Sequence, residues 1–441
     1  MATYNLTAAG INAGSFGSDD IVNCTDNSTS TPIVLPSGGT VGHPVTYNLT
    51  STVMNGVGAN ATGIDGNGKE YVTINTGEIT AYRKGAIDLR GAGLRGHVVS
   101  GTTAHHNTLK QSGDAAINCA GNVAAQVTNV TVHDESPIGG AIRMQTTTGG
   151  SLVSGFSVYN NEGDAVNFAA ADSITIERFN VHTYKDYWDG TYPQQHSDGL
   201  SADSCTNATV RWGRIYDFTQ LIYIALSDVN GNVCQNFNVY GVEFRQDTYG
   251  DGTQFNGGPG IFIPGDGGTG HDISNVQIFW CTFGYCGLPA IRIYKGTNTA
   301  SNIKIFNNIY NRSRGSGTGN AAVDLDDVAA ATTSNYNCAY QCAPWGSEGA
   351  NSIITNPLVV NDPGWGGSGY NLNLQSGSPC RDTGHPTLAA AVTVPNPSVD
   401  YNGHTRSRTG TTTMGAYEYA AAGSAPAHYF RDSLLRGGVW T

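Results

Sequence analysis

The chain has 441 residues, enough for a large hydrophobic core or two domains, and only 13% of them are charged. The net charge of −12 at neutral pH argues against nucleic acid and anionic membranes as partners, because both would repel the protein. No stretch approaches the ~18 consecutive apolar residues of a membrane-spanning helix, so none is expected.

Residues 1–63 are short polar segments with turns at Pro32, Pro36 and Pro44. We interpret them as an N-terminal cap and first irregular coils, because a repetitive core needs polar protection at its open end. The opening MATYNLTAAG has neither the basic start nor the apolar run of a signal peptide. Either a signal has been removed, or the protein leaves its cell by lysis, as a virion component does.

Residues 64–345 repeat two lines of sequence. The short line reads GDAAI (113–117), GGAIRM (139–144), GDAVNF (163–168), SDGLSA (197–202), LIYIAL (221–226), GPGIFI (258–263) and LPAIRI (288–293). The long line follows it as V-x-V-x-x-V-x-V in several spellings. The second apolar position of the long line falls at 127, 153, 176, 212, 239, 278 and 305.

Repeats of this length indicate a solenoid, a propeller or an array. Alternation with period 2 indicates strands, and the two-residue break inside the long line indicates a corner. We therefore predict an all-β fold, a single-stranded right-handed parallel β-helix with an N-terminal cap and a short C-terminal tail. A propeller is the alternative, but its longer blades and Trp-Asp signature are missing.

Nine cysteines are present, an odd number. Cys281 with Cys286, and Cys338 with Cys342, are spaced for local disulfides or for small buried apolar residues. Zinc is not expected, because paired C-x2-C units are missing.

Residues 346–419 are interpreted as C-terminal coils with a closing motif. They contain LQSGSPCRDTG (374–384), DYNGHTR (400–406) and MGAYEY (414–419). These stretches resemble the end of secreted bacterial and phage right-handed β-helix proteins. The resemblance implies the fold but leaves the activity open, because that group includes both polysaccharide lyases and surface proteins.

Residues 420–441 follow as a linker and a tail. The tail is predicted either to fold back on the coil or to dock on another protein. The docking residues would be Tyr429, Phe430, Leu434, Leu435 and Trp440.

Two insertions lengthen the repeat, KDYWDGTYPQQH (185–196) and RQDTYGDGTQFNGG (245–258). Both leave after the long line, so they emerge on one side of the coil. Their aromatic and acidic side chains suit the apolar faces and hydroxyls of sugars. The predicted glycan-binding residues are Tyr187, Trp188, Asp189, Tyr192, Asp198, Arg245, Asp247, Tyr249 and Asp251. Surface loops that contact a subunit are the alternative.

Asp114, Asp164 and Asp198 occupy one repeat position by sequence. An aligned acidic position could hold Ca²⁺, or it could cap a corner by accepting backbone N–H groups. No cofactor other than Ca²⁺ is expected. His105, His106 and His133 are interpreted as solvated or corner histidines rather than metal ligands.

The sequence suggests two possible catalytic mechanisms, hydrolysis and elimination. The order of His196, His271 and Arg292 resembles that of polygalacturonase-like glycosidases, but the Asp-Asp pair such hydrolases need is replaced by LIYIALSD. A lyase would need a base and a cation beside a uronate. The candidates are Arg245, Arg292, Lys295 and Lys304, of which Arg292 and Lys295 are preferred because they lie one turn beyond the second insertion.

The leading functional hypothesis is a phage virion surface protein, of spike or capsid-decoration type, that binds cell-surface glycans through its loops. The alternatives are a secreted lyase of acidic polysaccharides and a structural surface protein without a ligand. The expected location is the virion surface or the extracellular space. The expected partners are a glycan and, through the tail, other virion proteins; a homo-oligomer is left open.

Overall fold

The computed structural model describes residues 1–109, 114–137, 140–161, 163–184, 197–226, 233–246, 258–265, 270–286, 288–312, 322–325, 327–342, 348–363, 369–387, 399–406 and 412–419. The first compact unit is Met1–Ile176 with Thr183–Ala202, and the second is Glu177–His182 with Asp203–Thr441. Helix is confined, within the described residues, to α1 (Ala8–Asn12) and a 3-10 turn at Ala329–Ala331. Neither could cross a membrane.

Short strands account for most of the regular structure. In the first part of the chain they are β1 (Thr3–Leu6), β2 (Ile21–Cys24), β3 (Ser28–Thr29), β4 (Ile33–Val34), β5 (Val45–Asn55), β6 (Ile64–Asp65), β7 (Val72–Thr80), β8 (Ile87–Asp88), β9 (Val98–Ser100), β10 (Thr103–His105), β11 (Thr108–Leu109), β12 (Ala115–Asn118), β13 (Gln126–Thr128), β14 (Thr131–His133), β15 (Ser136–Pro137), β16 (Gly140–Arg143), β17 (Ser151–Asn161), β18 (Val166–Asn167), β19 (Ala171–Asp172) and β20 (Ile174–Tyr184).

The remaining strands follow the same alternation of short and long lines. They are β21 (Asp198–Asp203), β22 (Cys205–Thr206), β23 (Thr209–Tyr216), β24 (Gln220–Ala225), β25 (Val233–Gln235), β26 (Asn238–Arg245), β27 (Ile261–Pro264), β28 (Asp272–Ser274), β29 (Gln277–Phe279), β30 (Thr282–Gly284), β31 (Ile291–Tyr294), β32 (Thr299–Ser301), β33 (Ile303–Phe306), β34 (Ile309–Asn311), β35 (Val323–Asp324), β36 (Thr332–Asn335), β37 (Cys338–Tyr340), β38 (Ile353–Ile354), β39 (Val359–Asn361) and β40 (Asn371–Leu374).

Short-line strands of the first unit pair in parallel, each with the equivalent strand of the next turn. The column of inward side chains is Ile33, Ile64, Ile87, Ile117, Ile142, Val166 and Leu200, all fully buried. In the second unit β24, β27, β31 and β35 pair in the same way. Such columns arise because in-register parallel strands place equivalent residues about 4.8 Å apart.

Long-line strands form a second parallel sheet in each unit. Val127 lies opposite Val153 in the first unit, and Val239 lies opposite Ile278 in the second. The predicted corner is confirmed, because residues in the middle of the line have left-handed backbone angles, as at Asn129 with φ 53°. The fold is thus the right-handed parallel β-helix that the sequence predicts.

The register corrects one position of the repeat. Val210, not Trp212, lies opposite Val239, so the sequence spacing from this turn to the next is 29 residues rather than 27. Trp212 has φ 54° and occupies the corner, where its ring packs on Tyr240 outside the coil. A tryptophan at an alternating apolar position looks like a core residue in the sequence, and only strand pairing distinguishes the corner from the strand.

One corner of the second unit carries a column of asparagines. Asn207, Asn236, Asn275 and Asn302 all have φ between 51° and 54°. Each later side chain donates its amide N–H to the amide oxygen of the preceding one, at 2.8, 2.9 and 2.6 Å. Asparagine tolerates the left-handed angle better than most residues, and its amide supplies both a donor and an acceptor.

Residues 399–406 and 412–419, here called the closing segment, pack on the outside of the long-line strands of the second unit. Trp212 Nε1 donates to Val399 O at 3.2 Å, and the Gly415 N–H donates to Asn307 O at 2.7 Å. Gly415 has φ 86°, and a Cβ there would lie 2.6 Å from the Ile309 side chain. The close approach therefore requires glycine.

Buried charges hold the closing segment together. Asp400 accepts the backbone N–H groups of His404 and Glu418, both at 2.7 Å. Arg406, fully buried, donates to Gly415 O at 2.8 Å and to Glu418 at 3.3 Å. Its guanidinium also stacks on Trp280, 4.5 Å from the ring centroid. The acidic and basic residues of this stretch thus have structural partners.

Candidate functional site

The outer face of the short-line sheet in the second unit carries a column of large side chains. Tyr223 lies opposite Phe262, Phe262 opposite Arg292, and Arg292 opposite Asp324. The residues on either side of each point inward, as Ile291 and Ile293 do around Arg292, so the column itself must point outward.

Aromatic rings are in contact along this column. The ring centroids of Tyr223 and Phe262 are 5.6 Å apart, and those of Phe262 and Tyr294 are 5.8 Å apart. The Arg292 guanidinium lies 5.5 Å from the Phe262 ring and 5.4 Å from the Tyr294 ring. We call Tyr223, Phe262, Arg292 and Tyr294 the aromatic platform. It is half-buried, which keeps the rings ordered but accessible.

Acidic residues accompany the two cations that the sequence singles out as candidates. Arg292 Nε lies 3.2 Å from Asp324 Oδ2, with 39% of the arginine side chain exposed. Lys295 Nζ lies 4.0 Å from Asp327 Oδ2, and the Lys295 backbone N–H donates to Asp327 at 2.8 Å. Both cations are therefore held in place by a carboxylate, and Arg292 keeps a planar group with several N–H donors partly exposed.

Asp164 behaves as a cap at the short-line corner of the first unit. Asp164 accepts the Asp198 backbone N–H at 3.0 Å and the Ser201 hydroxyl. Asp198 is buried, and its pKa is raised well above its usual range by burial and by the nearby Asp164. Asp114 does not share this position, because Ala115 pairs with Gly140, which places Asp114 one residue earlier.

Arg245 lies on the long-line sheet of the second unit rather than on the aromatic platform. Its guanidinium is 4.2 Å from the Tyr216 ring and 5.1 Å from the Tyr370 ring. It also lies 3.6 Å from Glu243. The side chain is mostly buried, so these contacts fix its position.

The histidines have partners of their own. His105, His133 and Tyr159 stack in the first unit with ring centroids 4.8 Å apart at each step. His271 is buried, and its backbone N–H donates to Asn298 at 2.9 Å. Among the residues that the structure describes, no group of three or more potential ligands could hold a metal.

Several predicted site residues lie outside the described residues. They are Tyr187, Trp188, Asp189, Tyr192, Asp247, Tyr249 and Asp251 of the two insertions and Tyr429, Phe430, Leu434, Leu435 and Trp440 of the tail.

Arg292 was a candidate by sequence, but Tyr223, Phe262 and Tyr294 were missed because they stand in apolar runs that are typical of core strands. The position that Tyr223, Phe262 and Arg292 share in LIYIAL, GIFI and AIRI is the signal that could have identified the platform, since period-2 alternation places that position outside.

Known structures share this architecture. XylC in complex with xylose aligns with a TM-score of 0.58 at 10% sequence identity, covering 95% of this chain and 98% of that one. The pectate lyase Pel9A aligns with a TM-score of 0.50 at 11% identity, covering 95% and 97%. The shared feature is the fold. No family model and no curated protein matches the sequence.

Proposed function

We propose that this protein binds an acidic polysaccharide on the aromatic platform. The observation that carries the proposal is the position of Arg292, whose guanidinium contacts the rings of Phe262 and Tyr294 while part of it stays exposed. Sugar rings stack their C–H faces on aromatic rings, and a guanidinium binds a carboxylate with two parallel hydrogen bonds. The platform offers both in one place.

The coil sets the spacing of the contacts. Equivalent outward residues recur about every 4.8 Å along a parallel sheet. A polysaccharide lying along the column would meet Tyr223, Phe262 and Arg292 on successive turns. A uronate carboxylate at Arg292 would replace Asp324 as its anionic partner, so an acidic sugar is favoured over a neutral one.

The fold is compatible with this proposal. XylC was solved with xylose, and Pel9A is a pectate lyase, so the same coil serves carbohydrate ligands in those proteins. We further propose that the insertions at 185–196 and 245–258 contribute sugar contacts through Trp188 and Tyr249. A polysaccharide ligand suits an extracellular setting or a virion surface, and the tail at 420–441 remains the proposed docking peptide for other virion proteins.

Cleavage by a lyase mechanism is the second candidate, and the proximity of Arg292 and Lys295 in one strand and turn favours it. In that step Arg292 would stabilise the uronate carboxylate, Lys295 in its neutral form would take the proton from the adjacent carbon, and the glycosidic C–O bond would break to leave an unsaturated sugar and a new chain end. Their acidic partners Asp324 and Asp327 make binding without cleavage the better-supported function.

The test is to measure binding of the full chain to a panel of acidic and neutral oligosaccharides, following chain length for cleavage. We expect Phe262→Ala and Arg292→Ala each to weaken binding of an acidic ligand by about tenfold or more, near 1.4 kcal/mol. Arg83→Ala, which removes an exposed arginine of the first unit, is the matched control.

Unchanged affinity in both platform variants would overturn the proposal. Loss of affinity only in Trp188→Ala with Tyr249→Ala would move the site to the insertions. Shortened products would establish an enzyme, and loss of those products in Lys295→Ala would support the lyase candidate.

A further inference from the structure

The cysteines that the fold brings together are not those that the sequence spacing pairs. None of the nine cysteines, all of which lie within the described residues, forms a disulfide in this structure. Cys342 Sγ donates to Tyr340 O at 3.2 Å and to Tyr310 O at 3.7 Å. Cys338 Sγ donates to Thr355 O at 3.4 Å, and its thiol also interacts with that of Cys380. The two thiols are fully buried in one apolar cluster with Met414 and Tyr417.

We propose that Cys338 and Cys380 are a disulfide-forming pair that cross-links the coil to the chain leading into the closing segment. Cys338 begins β37, which pairs with β34 of the preceding turn. Cys380 lies beside the closing segment, since the Met414 N–H donates to Cys380 O at 3.0 Å. The bond would therefore join a regular turn to a part of the chain outside the repeat.

Position in the fold distinguishes this pair from the other thiol contact in the second unit. Cys205 and Cys234 lie directly opposite each other on β22 and β25, and their thiols also interact. The strand pairing already joins those two turns, so a disulfide there would add little constraint to the folded chain. Cys338 and Cys380 enclose 41 residues, 339 to 379, against 28 residues, 206 to 233, for the other pair, so the longer loop adds only slightly to the restriction of the unfolded chain.

The chemistry requires an oxidant, for which we name a small-molecule disulfide such as oxidised glutathione. One cysteine thiolate attacks it and releases reduced glutathione, and the second thiolate then displaces another from the mixed disulfide. The protein loses two protons and two electrons in total, and one S–S bond forms. The interaction of the protonated Cys380 thiol with Cys338, together with burial, raises the pKa of Cys380, so this thiol reacts slowly in the folded chain.

Burial also sets when the bond would form. Neither thiol is accessible to solvent in the folded chain, so oxidation would accompany folding in an oxidising compartment. Once formed, the bond would be shielded from reductants by the same apolar neighbours.

The test is to refold the full chain in a buffer of oxidised and reduced glutathione, block free thiols after denaturation, and map cross-linked peptides by mass spectrometry. We expect a peptide joining Cys338 to Cys380, lighter than its parts by two hydrogens. We also expect the oxidised protein to melt roughly 5 °C above the same protein kept in reductant.

Two variants distinguish a change in Tm caused by the cross-link from one caused by altered packing. Cys380→Ala should abolish the difference in Tm between oxidised and reduced samples, whatever it does to the Tm itself. Cys119→Ala, which removes a buried thiol of the first unit, should preserve the difference. Absence of the Cys338–Cys380 peptide from the refolded wild type, or cross-links confined to other pairs, would overturn the proposal without touching glycan binding.

Discussion

Arg406 shows what a buried charge does in this fold. Its guanidinium is enclosed by Trp280, the Gly415 carbonyl and the Glu418 carboxylate. Burial raises the pKa of Glu418, whereas the adjacent guanidinium lowers it. An arginine is suited to this position because its planar group can stack and donate several hydrogen bonds at once.

Replacing Arg406 by methionine keeps apolar bulk but removes the charge. We expect the free energy of unfolding to fall by about 3–5 kcal/mol, because Glu418 and the Gly415 carbonyl lose their partner inside the protein. Urea denaturation of the full chain measures this change. Lys84→Met, at an exposed position, should change the free energy by less than about 0.5 kcal/mol; an equal loss in both variants would contradict the assigned role.

For single residues, the sequence predicted the corner positions well but did not predict which side chains lie on the outer surface. Aspartate at Asp164 predicted a cap, and the contact with the next turn is that of a cap. Trp212 and Phe262 could not be placed, because an aromatic residue in an apolar run has the same pattern whether it lies inside, at a corner or outside. The location of such a side chain depends on burial and strand pairing, and neither can be predicted from the local sequence.

The closing segment is the element with the clearest structural task. A cluster of Trp212, Tyr240, Phe279, Trp280 and Phe306 lies on the outside of the long-line strands, with Val399 packed against it. Without this cover, large aromatic surfaces would face water, each costing on the order of 1–2 kcal/mol.

Deleting residues 399–441 should therefore lower the free energy of unfolding by at least about 3 kcal/mol and increase binding of a hydrophobic dye. Deleting only 425–441 should leave the Tm unchanged, because the tail lies beyond the closing motif. Thermal unfolding of the two truncations beside the full chain provides the measurement. An unchanged Tm in the longer deletion would show that the aromatic cluster needs no cover.

The sequence anticipated this element only as a resemblance. The motif residues Asp400, Arg406 and Tyr417 were recognised as a closing pattern, but the contacts that attach the segment to the coil join residues distant in sequence. Tyr417 OH donates to Glu243, and Trp280 Nε1 donates to Thr412 at 3.3 Å. Contacts between a segment and turns more than 100 residues earlier cannot be read from periodicity.

For the molecule as a whole, the pH dependence of stability is influenced by a buried carboxyl group. Glu135 is buried, and one of its oxygens accepts the Asn107 amide at 2.8 Å. Burial raises the pKa of Glu135 to about 8 from its usual 4.5. The unfolded chain releases this proton near pH 4.5 and the folded chain only near pH 8. The contribution of Glu135 to stability is thus fully present at low pH and is lost as the pH rises through that window.

Glu135→Gln keeps the acceptor for Asn107 and removes the titration. We expect the variant to gain stability over the wild type between pH 5 and pH 8, by an amount on the order of 4 kcal/mol. Chemical denaturation at the two pH values measures the difference. Asp382→Asn, an exposed control, should show no such gain. If the free energy of unfolding changed equally in the variant and the wild type between pH 5 and pH 8, Glu135 would be ionised in the folded protein.

The coil was the part of the molecule most predictable from sequence. The column from Ile33 to Leu200 follows from alternation repeated turn after turn, and each turn imposes the same inside and outside on the next. The proposed binding surface was not predictable in the same way, because its character depends on which side chains the neighbouring turns place beside one another.

The asparagine column from Asn207 to Asn302 has a direction. Every amide donates toward the N-terminal side, so the run begins with an oxygen acceptor and can continue only through a residue that offers both groups. An inserted turn without its own asparagine at that corner would divide the run into two shorter ones and add a new pair of ends. An engineered insertion would therefore be best tolerated if it copied a complete turn of the repeat, including the asparagine at its corner.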